Sequence, residues 1–294
     1  MTQSFEIAQS RFDNISAIKP LLSALRTLSM GAWQMALNKL SKMDQYQDHF
    51  IKILAQILPY IKERQIRKHQ NGVTNTTNID TILLIVGTER GLCGKFNQTL
   101  AENAVTWLKS QDFPSYEIWA MGTRLIRELE RMRIDITWKN SFQTSDASSF
   151  QAAYMNTQKW LEQFESYQFN RLMLIYNEMN RGQIQFSTIQ LLPYQLDYAT
   201  QALKTETSWP PPIIESDPTG IYHQIIQHFI ASSFYQVLLK STVAEHSTRY
   251  NLMQESIDNA EDIIEELQLI INAERKKQIT QEMQELATGA GLLD

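Results

Sequence analysis

The chain has 294 residues, 43% of them hydrophobic, a net charge of -5 and one cysteine, Cys93. That length gives two domains, or one domain plus an extended element, with ample apolar residues for a packed core. Composition excludes an internal disulfide, argues against a nucleic-acid footprint, since no Lys/Arg cluster joins an aromatic platform, and provides no membrane span: the longest purely apolar run, Ile82–Val86, falls far short of the roughly 20 residues required. The N-terminus MTQSFEIAQS lacks the basic-then-apolar pattern of a signal peptide, so the chain is expected to stay in the compartment where it is made.

From Phe5 to Leu58 the spacing predicts a long helix, with Phe12, Ile15, Leu22, Leu25, Leu28, Ala32, Met35, Leu40, Met43, Phe50, Ile53 and Ile57 recurring every three or four residues. Pro20 predicts a kink or a late start, and Pro59 an end or a bend. The polar stretch Gln65–Asn78, with Asn71-Gly72, reads as a loop.

A different grammar follows. Thr81–Val86 reads as a short branched strand, then a turn and a helix from about Phe96. Glu117–Met121 is a second strand, Arg124–Arg131 a helix, Ile134–Trp138 a third strand, and Phe150–Phe164 a helix. Leu172–Tyr176 and Phe186–Leu191 are two further strands. Strands alternating with helices give a small Rossmann-like α/β domain with a largely parallel sheet. Trp209-Pro210-Pro211-Pro212 reads as a stiff connector, and Asp217-Pro218 as a helix start.

From Ile221 to Thr288 there is no glycine and no proline, which at about 1.5 Å per residue describes a rod of about 100 Å. Its apolar positions, Ile226, Ile230, Ser233, Val237, Ala244, Leu252, Ala260, Ile263, Leu267, Ile270, Met283 and Leu286, recur as a single seam that needs a partner helix. The N-terminal helix is that partner, and the simplest pairing is antiparallel. The division is thus an N-terminal coiled-coil helix over 1–64, an α/β domain over 79–209 and a C-terminal coiled-coil helix over 221–294.

Chemistry-bearing residues are sparse. The stretch Gly87-Thr88-Glu89-Arg90-Gly91-Leu92-Cys93-Gly94-Lys95 sits between a strand and a helix, where phosphate-binding loops are found. Glu89 stands where a Walker A loop needs glycine and Phe96 where it needs Ser or Thr, and Gly87, Gly91 and Gly94 do not fit G-x-G-x-x-G. The glycines read as a structural turn. His223 and His228 are five apart and His246 lacks the second histidine of H-E-x-x-H, so no metal site and no cofactor site are assigned. Along the rod, Glu255, Asp258, Glu261, Asp262, Glu265 and Glu266 form an acidic stretch. The basic triplet Arg275-Lys276-Lys277 follows, and then a small apolar tip, Ala287-Thr288-Gly289-Ala290-Gly291-Leu292-Leu293.

Three stretches resemble the gamma subunit, the central rotor shaft, of F-type ATP synthases. Glu89-Arg90-Gly91-Leu92-Cys93-Gly94 with Phe96-Asn97 is similar to the family's D-R-G-L-C-G-x-x-N turn, and Gln190-Leu191-Leu192-Pro193 to the end of its last domain strand. Asp258-Asn259-Ala260, Glu266-Leu267-Gln268-Leu269, Asn272, Arg275, Ile279-Thr280-Gln281-Glu282 and Gly289-Ala290 follow its C-terminal signature. The resemblance implies a non-catalytic coupling subunit partnered by the alpha, beta and epsilon subunits and the membrane c-ring. It also implies a peripheral position on the cytoplasmic face of an energy-transducing membrane, without insertion. It places Arg275, Lys276, Thr280 and Glu282 against the beta subunit, Lys276 standing where the family usually has glutamine. The first helix departs from the family's basic pattern, with Leu25 in place of a methionine and Ser23, Ala32 and Gln34 where lysine or arginine is usual. Taken alone, the residues leave open an α/β ligand-binding or enzyme domain on a coiled-coil arm, binding at Gly87–Gly94, or a coiled-coil scaffold without a rotary role.

Overall fold

The computed structural model describes residues 2–61, 79–140, 149–194 and 213–289. The loop expected at 65–78, the connector at 209–212 and the terminal tip from Ala290 onward lie outside them. Packing divides the chain into two compact units, Met1–Gly31 with Ser247–Asp294, and Ala32–His246. This division by contact cuts across both terminal helices.

Helix α1 spans Thr2–Ile57 and is continuous through Pro20. The late start is corrected: the helix begins at Thr2 and runs on through Pro20. Pro20 is exposed, so water can bond the carbonyl that loses its partner four residues back. The helix ends at Ile57, two residues before Pro59, which lies within a 3-10 turn over Leu58–Tyr60. At the other end of the chain, α5 spans Pro218–Gly289. Asp217 starts it as read from sequence, its Oδ2 accepting from the Gly220 N–H at 3.0 Å.

Within the larger unit lie β1 (Ile79–Val86), α2 (Phe96–Lys109), β2 (Tyr116–Met121), α3 (Thr123–Arg131), β3 (Trp138–Asn140), α4 (Phe150–Glu165), β4 (Phe169–Asn180) and β5 (Gln183–Leu192). The sheet order is β3-β2-β1-β4-β5, parallel throughout except for β5, which pairs antiparallel with β4. Central β1 is apolar at consecutive positions because both its faces are covered. Leu83 and Ile85 face α2 and α3, packing with Leu100, Ala104, Leu125 and Leu129. Ile82, Leu84 and Val86 face the opposite way, into a core shared with Trp160 of α4, Leu54 of α1 and Phe234 and Leu238 of α5.

The opening stretch of α5 is therefore a core helix, buried on more than one side: Tyr222, Ile225, Ile226, Phe229, Ile230, Ala231, Phe234 and Tyr235 are all buried. The single seam read from sequence does not hold here, since the sheet adds a second surface to the one α1 supplies. The third strand is also displaced, from Ile134–Trp138 to Trp138–Asn140. Ile134 and Ile136 turn into the α2/α3 core without pairing, and pairing begins only where Trp138 meets Trp119, their rings 5.2 Å apart.

In the smaller unit the two terminal helices form a narrow seam. Ala8 packs with Leu267 and Ile271, Lys19 Nζ pairs with Glu261 at 2.7 Å, and Arg26 is hydrogen-bonded to Gln254. Partners descend along α5 as they ascend along α1, which makes the pair antiparallel. The larger unit shows the same sense, with Asp44, Gln47 and Tyr46 bonded to Gln236, Ser232 and His228. Met253, Ile257, Ala260, Leu267 and Ile271 are the buried positions of the distal seam, while Ile263, Ile270, Met283 and Leu286, assigned to it from sequence, are exposed. Among the described residues no helix is long and apolar enough to cross a membrane.

Candidate functional site

Two places were singled out by sequence, and they differ in kind. The first is the distal face of α5. In the antiparallel register Ala8 lies beside Ile271, so Thr2 falls level with about Gln278. From Ile279 onward α5 has no partner helix among the described residues, and Ile279, Met283 and Leu286 are 52%, 65% and 73% exposed. Arg275, Lys276, Thr280 and Glu282 are all exposed on this stretch. Thr280 Oγ1 donates to the Lys276 carbonyl at 2.8 Å, and Lys277 pairs with Glu274 at 2.9 Å. At about 100° per residue, Arg275 and Glu282 share one stripe of the helix while Lys276 and Thr280 share the next. Ile279, Met283 and Leu286 fall between those two stripes, so the face is an arc in which polar residues of both charge signs flank an exposed apolar strip. That arc contains no cavity and no catalytic constellation; what it can do is meet another surface.

The second place is the turn after β1. Three of its backbone donors are bonded within the fold. The Gly87 N–H donates to the Met121 carbonyl at 2.9 Å, the Thr88 N–H to Asn97 Oδ1 at 3.0 Å, and the Phe96 N–H to the Cys93 carbonyl at 3.2 Å. Asn97 Nδ2 donates to Thr88 Oγ1 at 2.8 Å, and Thr88 Oγ1 in turn to the Arg90 carbonyl at 2.8 Å. At the start of α3, where an anionic ligand would be favoured by the helix dipole, the Glu89 carboxylate is already bound by the Thr123 N–H (2.9 Å) and by the Thr123 hydroxyl. A Cβ at Gly87 would lie 2.4 Å from Leu125 Cβ, so only glycine lets β1 pass α3 this closely. Gly94 has φ +56°. Gly91 stands opposite Arg124, whose Nη2 would lie 3.3 Å from a Cβ there. Cys93 is buried with Phe96 and Ala244. Sequence spacing marked the turn but gave no sign of Glu89 or Asn97 as its internal partners: Glu89 reaches a residue 34 positions away, and Asn97 closes back on Thr88 from the following helix.

The larger unit also contains a charged link that sequence did not suggest. Glu178 on β4 accepts from Ser187 at 2.7 Å and pairs with Lys240 of α5 at 3.1 Å. Burial raises its carboxyl, but the bonds from Ser187, Lys240 and Tyr176 and the Lys240 charge outweigh that and hold it below the ordinary value of 4.5.

A family model described as ATP synthase matches residues 4–293. The ATP synthase gamma chain of Buchnera aphidicola subsp. Baizongia pistaciae is 26% identical over 286 residues, covering 96% of this chain and 96% of the relative. That of Levilactobacillus brevis is 23% identical over 303 residues, covering 100% of each. Among solved structures, a chain of the Euglena gracilis mitochondrial ATP synthase, in the structure of OSCP/F1/c-ring in rotational state 3, superposes with a TM-score of 0.63 at 14% identity, covering 99% of this chain and 95% of that one. A chain of the Tetrahymena thermophila mitochondrial ATP synthase central stalk and c-ring gives 0.55 at 17% identity, covering 80% and 98%. These last two are likenesses of fold.

Proposed function

The chain belongs to the ATP synthase gamma-chain family, and on that footing we propose that it is the central-stalk rotor of an F-type ATP synthase, coupling ion-driven rotation to ATP synthesis or hydrolysis. The observation that carries this reading is the family match across residues 4–293, which takes in both terminal helices and the whole sheet. The exposed end of α5, which has no partner helix among the described residues, supports it, since a shaft must present surface to what surrounds it. The chain itself is non-catalytic on this reading. Its turning asymmetry drives nucleotide sites held by beta subunits between states of different affinity, so that torque becomes a population shift.

The partners are the alpha and beta subunits around the distal helix, with epsilon and the c-ring at the sheet domain, at the cytoplasmic face of an energy-transducing membrane. Arg275, Lys276, Thr280 and Glu282 are the residues that meet the beta subunit, and Gly87, Gly91 and Gly94 serve the structure of the turn. The reading is tested by mixing the purified chain with alpha and beta subunits. A stoichiometric complex with altered ATP turnover is expected, and failure to assemble, or assembly with turnover unchanged, refutes it. Within the assembled complex, Arg275→Gln with Lys276→Gln is expected to lower ion-driven ATP synthesis severalfold while assembly and stability stay near normal, because exposed charges add at most about 1 kcal/mol to folding. Undiminished synthesis removes those two residues from coupling.

A further inference from the structure

The strand order reverses at β1: the chain leaves it for β2 and β3 on one side and returns to lay β4 on the other. In open sheets of this kind, ligands sit in the crevice outside the carboxyl ends of the strands at that switch point. Here the end of β1 opens onto a groove of about 300 Å³ between the turn, α1 and α5, with every lining residue inside the Ala32–His246 unit. That volume is at the lower end of the range for small-molecule pockets, about 300 to 1,000 Å³. Small residues make the room, Ala32 and Ala36 on α1 and Gly87 on the turn, and the buried side chains of Val86, Leu238 and Leu239 give it an apolar floor.

The rim is polar and unevenly charged. Lys39, Arg90 and His246 stand there with Glu89 and Glu245. Glu89 lines the groove but its carboxylate is bound by the Thr123 N–H and hydroxyl at the start of α3, which offsets its charge. Lys39, Glu245 and His246 already have contacts of their own. Arg90 is different: its carbonyl is bound by Thr88, while its side chain is exposed at the mouth. The Gly87 and Thr88 N–H groups beside the groove are bonded within the fold, and the glycine spacing of the turn fits neither nucleotide-binding loop.

We propose that the groove binds a small organic anion with an apolar body, such as an aryl carboxylate or sulfonate, the body resting on Val86, Ala36, Leu238 and Leu239 and the acid group meeting Arg90. A guanidinium suits such a group because it offers two parallel N–H donors to two oxygens. The site is separate from the exposed distal stretch of α5, and its occupancy does not depend on the rotor reading.

The test uses the full chain and anilinonaphthalene sulfonate, whose fluorescence rises in an apolar site. One saturable site is expected, weakened about tenfold or more by Arg90→Glu and abolished by Thr242→Trp, which fills the groove from α5. The uncharged analogue phenylnaphthylamine is expected to bind at least tenfold more weakly than the sulfonate. Circular dichroism identifies any variant that fails to fold, and Lys39→Gln with Arg90→Gln supplies a second surface variant with the same expected loss. Met283→Gln with Leu286→Gln is expected to leave binding unchanged. Binding indifferent to Arg90→Glu and to Thr242→Trp, equal binding of the uncharged analogue, or loss of the site on changing Met283 and Leu286 overturns the proposal.

Discussion

Replacing Asn97 by alanine tests whether the turn after β1 is held from within. Asn97 is buried, and its amide spans the turn: Oδ1 accepts from the Thr88 N–H at 3.0 Å and Nδ2 donates to Thr88 Oγ1 at 2.8 Å. Each neutral hydrogen bond contributes about 1 kcal/mol net, and a buried donor left without a partner costs about 1 to 3 kcal/mol. The Thr88 N–H would be that donor, because Thr88 is itself fully buried. The loss should therefore be about 2 to 4 kcal/mol, well above that of a surface change. Urea unfolding followed by tryptophan fluorescence reads it, since Trp119 and Trp160 sit in the core on the other side of the sheet. The midpoint should fall by about 1 to 2 M with the slope unchanged. Asn97→Asp keeps the acceptor but loses the donor and buries a charge, so it should be destabilised at neutral pH and partly recover in acid, where a protonated carboxyl can again donate. A loss below about 1 kcal/mol in Asn97→Ala, or a changed slope, would refute the claim that this amide holds the turn.

Gly122→Ala should be at least as damaging, since φ is +103° there and the new Cβ would lie 2.8 Å from backbone atoms of Gly87 and Thr88; thermal unfolding would show it, and a near-normal midpoint would refute it. Leu267→Ala in the distal seam should cost about 2 to 4 kcal/mol and raise amide exchange in the Met1–Gly31 and Ser247–Asp294 unit, with the sheet protected as before. For Glu178, the folded-state pKa is lowered, so its contribution is fully present above the ordinary carboxylate value of 4.5 and is lost as pH falls through the folded value. Lys240→Met should reduce that acid dependence in pH-stepped unfolding, by well under 1 kcal/mol because both side chains keep solvent contact.

Local periodicity revealed most of the fold. The run Thr81–Val86 showed an apolar strand, and Asp217-Pro218 marked where the last helix begins. What failed had a tertiary cause. Ile134 and Ile136 have strand composition, yet they serve the α2/α3 core, and their strand waits for the Trp138–Trp119 pairing. Pro20 was read by its local cost, which solvent exposure at that position reduces. The apolar pattern of α5 was read as one seam because a sequence cannot say that Tyr222–Leu239 faces a sheet as well as a helix. The exposed distal residues Arg275, Lys276, Thr280 and Glu282 were identifiable through the resemblance alone, for no local pattern separates a contact surface from a solvated helix face. The Glu89–Thr123 bond was invisible because it joins the turn to a helix that starts 34 residues later, and the Asn97–Thr88 bond because only the folded turn brings the second residue of α2 back over Thr88.

The Glu89 carboxylate sits where the dipole of α3 favours negative charge, bound there by the Thr123 N–H and hydroxyl. The helix thus takes its counter-charge from its own chain, and its first turn needs no anion from solution to balance it. The same two bonds staple the turn after β1 to a residue 34 positions further along, so loosening either one frees a turn and a helix start together.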